Sequence, residues 1–140
     1  MKAVIRRENP DFVFFLGDGE HDLSVIRRDR SDLPIQAVRG NCDFYSELPL
    51  ELVTNVGGIR FFLTHGHRYE VKSERHFDTL KAAARENRAQ VALFGHTHEA
   101  HMEQDGELLL MNPGSIRGYS PSCGILEIRD GRLQAGIVDL

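Results

Sequence analysis

Four short segments carry side chains able to bind divalent cations, and each follows directly on an apolar run. Gly17-Asp18-Gly19-Glu20-His21-Asp22 comes after Phe12–Leu16, and Gly40-Asn41-Cys42-Asp43 after Ile35–Val38. Thr64-His65-Gly66-His67 comes after Ile59–Leu63, and Gly95-His96-Thr97-His98 after Val91–Phe94. In open α/β sheets ligands bind beyond the carboxyl ends of the strands, so four such turns can converge on one site. Singly, each signal is weak: Asp18 and Asn41 are ordinary turn formers, and paired histidines also decorate solvated turns. Residues two apart on an extended segment point to the same side, which would aim His96 and His98 together. His65 and His67 repeat that spacing. Oxygen and imidazole donors without thiolates suit Mn, Fe, Co, Ni or Zn, not a cysteine-rich structural zinc. The neighbouring glycines let the backbone turn sharply beside each ligand.

The elements that must position these turns are readable from the apolar pattern. Met1–Asn9 reads as the tail of a helix stopped by Pro10, with no cap ahead of it. Phe12–Leu16, Ile35–Val38 and Val91–Phe94 read as buried strands. A short helix is expected over Asp22–Asp29. Leu50–Val56 and Ile59–Thr64 form a hairpin through Gly57-Gly58. From Ser73 to Arg88, Phe77, Leu80 and Ala84 recur at helical spacing, with Ser73 as the expected cap. Asp105-Gly106 joins Ala100–Gln104 to Glu107–Met111, and Asp130-Gly131 joins Gly124–Arg129 to Leu133–Val138.

The chain has 140 residues, 17 basic against 21 acidic for a net charge of −4, and a hydrophobic share of 41%. One domain spanning residues 1–140 is expected, with a core too apolar for a disordered chain. The apolar runs are too short to cross a bilayer, and no secretory pattern opens the chain. Two cysteines make no disulfide framework. The expectation is a soluble cytoplasmic domain. A stable nucleic-acid partner is disfavoured, because a −4 chain without a basic stripe gains little from counterion release.

In chain order, Gly17-Asp18, Gly40-Asn41-Cys42-Asp43, Thr64-His65-Gly66-His67, Gly95-His96-Thr97-His98 and Asn112-Pro113-Gly114-Ser115 resemble the motifs of the calcineurin-like metallophosphoesterases. The likeness is to the small bacterial and archaeal phosphodiesterase branch, itself similar to the metallophosphoesterase-like subunit of eukaryotic retromer. It implies an α/β fold, a β-sandwich of two mixed sheets flanked by helices. It also implies a two-metal centre, with manganese first and Ni, Fe, Co or Zn as alternatives. Asp18 would bridge the ions, His98 would serve the first, and Asn41, His65 and His96 would complete the second. Two metals can clamp a phosphoryl group and generate hydroxide near neutral pH. Asn41, Asp43 and His67 are the catalytic candidates, with supporting or proton-transfer roles for the latter two. Arg117, Ser115 and Arg39 are candidates for holding substrate phosphate. Cys42 stands where the wider superfamily commonly has histidine, and it reads as a small turn residue. His21, His76 and His101 fit no motif and read as surface histidines.

The family pattern opens with a strand ending in Asp-x-His, which this sequence lacks. The expectation is an N-terminally truncated domain without the first strand, whether through a start assigned too late (roughly 20–25 residues, from ordinary strand and helix lengths) or as the real product. One retained metal and a weak or empty neighbour are expected. Dimerisation or strand exchange would cover an edge left bare by a missing strand. The expected function is a metal-dependent phosphodiesterase acting on small phosphodiesters or nucleotide-like substrates, impaired in this form. The alternative is an inactive metal-binding module for protein interaction.

Overall fold

Period-two alternation sorts the apolar residues of three strands onto the two faces of one sheet. The computed structural model describes residues 1–140. Strands β3 (Glu51–Val56), β4 (Ile59–Thr64), β5 (Val91–Leu93), β6 (Ala100–Asp105) and β7 (Leu108–Pro113) form a mixed sheet in the order β3-β4-β5-β7-β6. β4, β5 and β7 run parallel, and β3 and β6 are antiparallel edges. Ile59, Phe61, Leu63, Val91, Leu93 and Met111 point to one face, and Phe62, Ala92, Leu108 and Leu110 to the other.

Each face is covered by different partners. Helix α3 (Asp78–Glu86) lays Leu80 and Ala84 on the Phe62 face. The Phe61 face is covered by a second layer, divided into two ribbons: β1 (Val13–Phe15) parallel to β2 (Ile35–Ala37), and β8 (Ser122–Arg129) antiparallel to β9 (Arg132–Asp139). Phe14 and Leu16 reach this core from the first ribbon, and Leu126, Ile128, Leu133 and Ile137 from the second. Outside the first ribbon, α1 (Lys2–Glu8) and α2 (Glu20–Asp29) bury Ile5 and Ile26 against Leu33, Val13 and Ile35. The fold is therefore a mixed α/β sandwich around a central mixed sheet with three helices. Fully burying side chains such as Phe61, Phe62 and Phe94 stabilises it by about 1.5–3 kcal/mol apiece. No helix is long and apolar enough to cross a membrane.

Three local expectations shift. Helix α3 begins at Asp78, not Ser73: Ser73 closes back on Glu70, its hydroxyl donating to the Glu70 carbonyl at 3.1 Å. The helix is capped instead by Glu74, whose carboxylate accepts the Thr79 N–H at 2.8 Å. The β6–β7 turn is Gly106-Glu107, since Asp105 pairs with Leu108 across the ladder. Gly106, at φ 61°, is the first central residue, which suits the primed turns whose twist matches that of the strands. His101 is half-buried, not a free surface residue, and its ring packs 4.9 Å from that of Phe77.

Lys81 fastens α3 to the edge strand β6. Its buried ammonium donates to Glu103 at 2.7 Å and lies 3.2 Å from Asp105, which also pairs with Arg85 at 3.0 Å. The Lys81 hydrogen bond holds Glu103 below the usual carboxylate range, and Arg85 and then Lys81 do so for Asp105. Carboxyls depressed in the folded state contribute stability that is present above their unfolded pKa and lost as pH falls through the folded one. Lys81→Met is therefore expected to lower the urea midpoint at pH 7, by the equivalent of about 1–3 kcal/mol. That deficit should be smaller at pH 3, because the stability these depressed carboxyls contribute is lost as pH falls below the usual carboxylate range. Urea titrations of the two proteins at both pH values check it.

Candidate metal centre

His65 is the hub of the site, and its tautomer is set by the fold. It follows β4, is 2% exposed, and places Nδ1 2.6 Å from the Leu16 carbonyl at the end of β1. A carbonyl only accepts, so Nδ1 carries the proton and Nε2 presents a lone pair. Around Nε2 stand Asp18 Oδ2 at 3.2 Å, Asn41 Oδ1 at 3.1 Å and His96 Nδ1 at 3.2 Å. An imidazole lone pair and a carboxylate oxygen at that distance are two acceptors facing each other, and they need a positive charge beside them. Asp18, His65 and His96 each offer a ligand atom within 4.8 Å of one another. Two of these four donors come from each layer, so the site exists only where the layers meet.

The turns that aim these groups are locked together by Asp43. Its Oδ2 accepts the N–H of Asp18 at 2.8 Å and of Gly40 at 2.9 Å, and its Oδ1 those of Gly19 at 3.0 Å and Glu20 at 3.2 Å. Burial works to raise this carboxyl, and the N–H groups outweigh it and hold it below the usual range. With both oxygens engaged, Asp43 acts as a clamp that orders Asp18. Gly17 and Gly40 make the approach feasible: a Cβ on Gly40 would lie 1.9 Å from Asp18 Oδ1, and one on Gly17 2.5 Å from Gly40 N. The Cys42 N–H donates to Asp18 Oδ1 at 2.8 Å, and the charge of Asp18 pushes the Cys42 thiol up, away from the thiolate that binds metal.

The histidine turn departs from the extended geometry expected of it. His96 and His98 both adopt left-handed conformations, at φ 69° and 62°, so same-side alternation does not apply. His96 enters the cluster, and His98 stands exposed outside it. Asn112, fully buried, pins this turn by donating to the Gly95 carbonyl at 3.0 Å and the Thr97 hydroxyl at 2.9 Å. Asp18 is also left-handed, at φ 58°. Such strain outside glycine is uncommon and collects at functional sites.

The expected phosphate holders are partly committed elsewhere. Arg117 pairs with Asp22 on α2, Arg39 donates to the Ser46 carbonyl at 3.3 Å, and the Ser115 hydroxyl accepts the Arg117 N–H at 3.2 Å. Beside the cluster lies a cleft of about 160 Å³ lined by His67, Glu70, Val71, Lys72, Ser73 and His96. His67 places its ring 5.5 Å from that of His65, and its Nδ1 is buried without a partner. Burial lowers the His67 pKa, and burial, then Lys72, lowers that of His96. Lys72 makes no ion pair and contributes the cleft's ammonium. Its sequence neighbours Arg68, Glu70, Glu74 and Arg75 hide that role, because a lysine among them reads as solvated charge. A larger groove of about 440 Å³, under β5 and β7 against β9, contains Leu109 and Leu133 but no histidine.

A mixed α/β sandwich with Asp, Asn and His converging at its strand ends defines a metal-binding hydrolase architecture. Residues 1–131 match the calcineurin-like phosphoesterase superfamily domain, and the chain belongs to that superfamily. It is 31% identical over 117 residues to a probable metallophosphoesterase, YsnB, of Bacillus subtilis, covering 84% of this chain and 67% of that one. A predicted phosphoesterase of Streptococcus pneumoniae superposes with a TM-score of 0.78 at 32% identity, covering 99% of this chain and 80% of that one. A single mutant of Entamoeba histolytica Vps29 superposes with a TM-score of 0.77 at 23% identity, covering 100% and 89%, a likeness of fold. Matches to the curated metallophosphoesterases and phosphodiesterases span 40–69% of those proteins' own lengths. The superfamily uses divalent metal ions, and the acceptor-rich set of Asp18, Asn41, His65 and His96 fits such an ion.

Two outcomes follow from this geometry. Asp43→Asn replaces an acceptor of four N–H groups with an amide that accepts at one oxygen only. It is expected to cost about 1–3 kcal/mol in urea denaturation and to weaken manganese binding. In calorimetric titration His65→Ala should weaken the tightest manganese site at least about tenfold, with His98→Ala leaving that site in place.

Proposed function

We propose that this protein is a metal-dependent phosphodiesterase of the cytoplasm, acting on small phosphodiesters or nucleotide-like substrates with manganese as its ion. The observation that carries the proposal is the Asp18–Asn41–His65–His96 cluster, in which acceptors crowd around one buried imidazole. When bound, divalent ions supply Lewis acidity toward phosphoryl oxygens and a nucleophile near neutral pH. Asp18, Asn41, His65 and His96 would hold the tighter ion, and Asp18 with His98 a weaker second one. Lys72, which makes no ion pair within the chain, would bind a non-bridging phosphoryl oxygen from the cleft side. His67 lines the same cleft beside His96 and would face substrate there. Ser115 and the backbone of its turn would border the leaving group, and Arg117 and Arg39 would face substrate only by exchanging their present partners. The reaction adds water across one ester link: an oxygen–phosphorus bond forms, the bond to the alcohol breaks, and the alcohol leaves with a proton.

A second reading is favoured by the position of His98. With that imidazole outside the cluster, a second ion has few protein donors, as in a metal-binding module whose work is protein interaction. Release of p-nitrophenolate from bis(p-nitrophenyl) phosphate, with and without manganese, separates the two. Manganese-dependent turnover is expected, reduced at least about 100-fold by Asp18→Ala, on the scale of losing one electrostatic stabiliser of the transition state. A chain that binds manganese tightly yet is inert with every divalent ion tried belongs to the second reading.

A further inference from the structure

The turn directly after the clamp carries two aromatic rings that the fold does not use. Ser46 donates its N–H to the Asp43 carbonyl at 3.2 Å, closing a β-turn with Phe44 and Tyr45 at its two central positions. Those positions ordinarily go to Gly, Asn, Asp, Pro or Ser, whose backbone preferences suit a turn exposed to water. Here the rings are 82% and 99% exposed. Neither stacks on another aromatic ring of the chain, and the Tyr45 hydroxyl has no hydrogen-bond partner. A single exposed aromatic is ordinary; two adjacent ones on a tight turn form an apolar tip with no packing role.

The base of that tip is rigid and attached to the site. On one side is Asp43, with its four N–H contacts to the Asp18–Glu20 and Gly40 turns. On the other is Ser46, buried, its carbonyl held by Arg39 and its hydroxyl accepting the Leu48 N–H at 3.1 Å. Asn41, 3.1 Å from His65, is three residues from Phe44. A second loop with an exposed ring, Tyr119, is tied by Arg117 to Asp22, in the same first turn of α2 that Asp43 grips through Glu20. Two exposed rings thus lie on loops tied to the segment that runs from Asp18 into the first turn of α2.

We infer that Phe44 and Tyr45 form the subsite that takes the nucleobase of the phosphodiester, a deepening that rests on the hydrolase reading above. Asn41 and Asp43 tie this turn to the metal ligands, so a ligand with its ring on the turn and its phosphate at the cluster would span one continuous segment. Ordering costs little, since the turn is already held at both ends. Stacking on aromatic side chains tolerates every base, so the subsite selects an aromatic group without choosing among bases.

The test compares wild type with Phe44→Ala/Tyr45→Ala, truncations that remove no buried packing. Calorimetry on the manganese-loaded proteins measures affinity for thymidine 5′-monophosphate and for inorganic phosphate. The nucleotide-to-phosphate affinity ratio is expected to fall about tenfold in the variant. The turnover ratio of thymidine 5′-p-nitrophenyl phosphate to methyl p-nitrophenyl phosphate should fall similarly. An unchanged affinity ratio, whether through no loss or through parallel loss of both ligands, overturns the subsite, as does a wild type that binds no nucleotide. If the affinity ratio falls but wild type turns over neither diester, the hydrolase reading fails and the aromatic subsite stands.

Discussion

The site depends on one carboxylate that touches no ligand atom. Asp43 gathers four backbone N–H groups from two separate turns, and in doing so sets the position of Asp18 relative to Asn41. Neither turn has a regular ladder beyond the ends of β1 and β2 to hold it. The contact of Gly17 with Gly40 brings the chains closer than any side chain would permit, and the negative charge fills the resulting nest of donors. Burial of that charge is opposed by desolvation and outweighed by hydrogen bonding, which is why the carboxyl stays ionised.

Around this clamp the molecule concentrates arrangements that are unfavourable by themselves. Asp18 and His96 hold left-handed backbones. A buried imidazole turns its lone pair toward a carboxylate and an amide oxygen. His67 keeps a ring nitrogen buried and unpaired. Each would cost stability in isolation, and each is sustained by rigid neighbours: the Leu16 carbonyl for His65, Asn112 for the histidine turn, Asp43 for Asp18. A cation relieves the largest of these conflicts, so metal binding and site stability are linked. The opposite treatment of charge appears at α3, where Lys81 meets Glu103 and Asp105 with every group paired. That network fixes a helix; the acceptor cluster instead favours positive charge brought from outside the chain.

Because Asp18 and Asn41 extend from one ribbon and His65 and His96 from the central sheet, sandwich packing determines the distances within the cluster. The Phe14–Phe61 contact, with ring centroids 4.9 Å apart, is part of the same interlayer core. The exposed aromatic turn, tied to the cluster through Asp43, and the Lys72 cleft beside His96 offer an apolar and a polar surface. A phosphate ester bearing a ring has both characters.

Much of this was legible in the residues before any fold. Apolar runs ending in Gly-Asp, Gly-Asn, His-Gly-His and Gly-His-Thr-His located the strands and their ligand turns, because strand alternation and glycine punctuation are local properties of the chain. The hairpin at Gly57-Gly58 was legible for the same reason. The start of α3 was not: its cap comes from Glu74, a long side chain folding back, which no cap-residue preference reports. His96 and His98 could not be separated by spacing, since their left-handed backbones depend on Asn112 arriving from another strand. That Arg117 pairs with Asp22 while Lys72 makes no ion pair is a tertiary fact, which no local pattern reports. The chain by itself determined which atoms can bind a cation; only packing two layers against each other decided which of them meet, because ligand distances of a few ångströms are set by contacts between segments far apart in sequence.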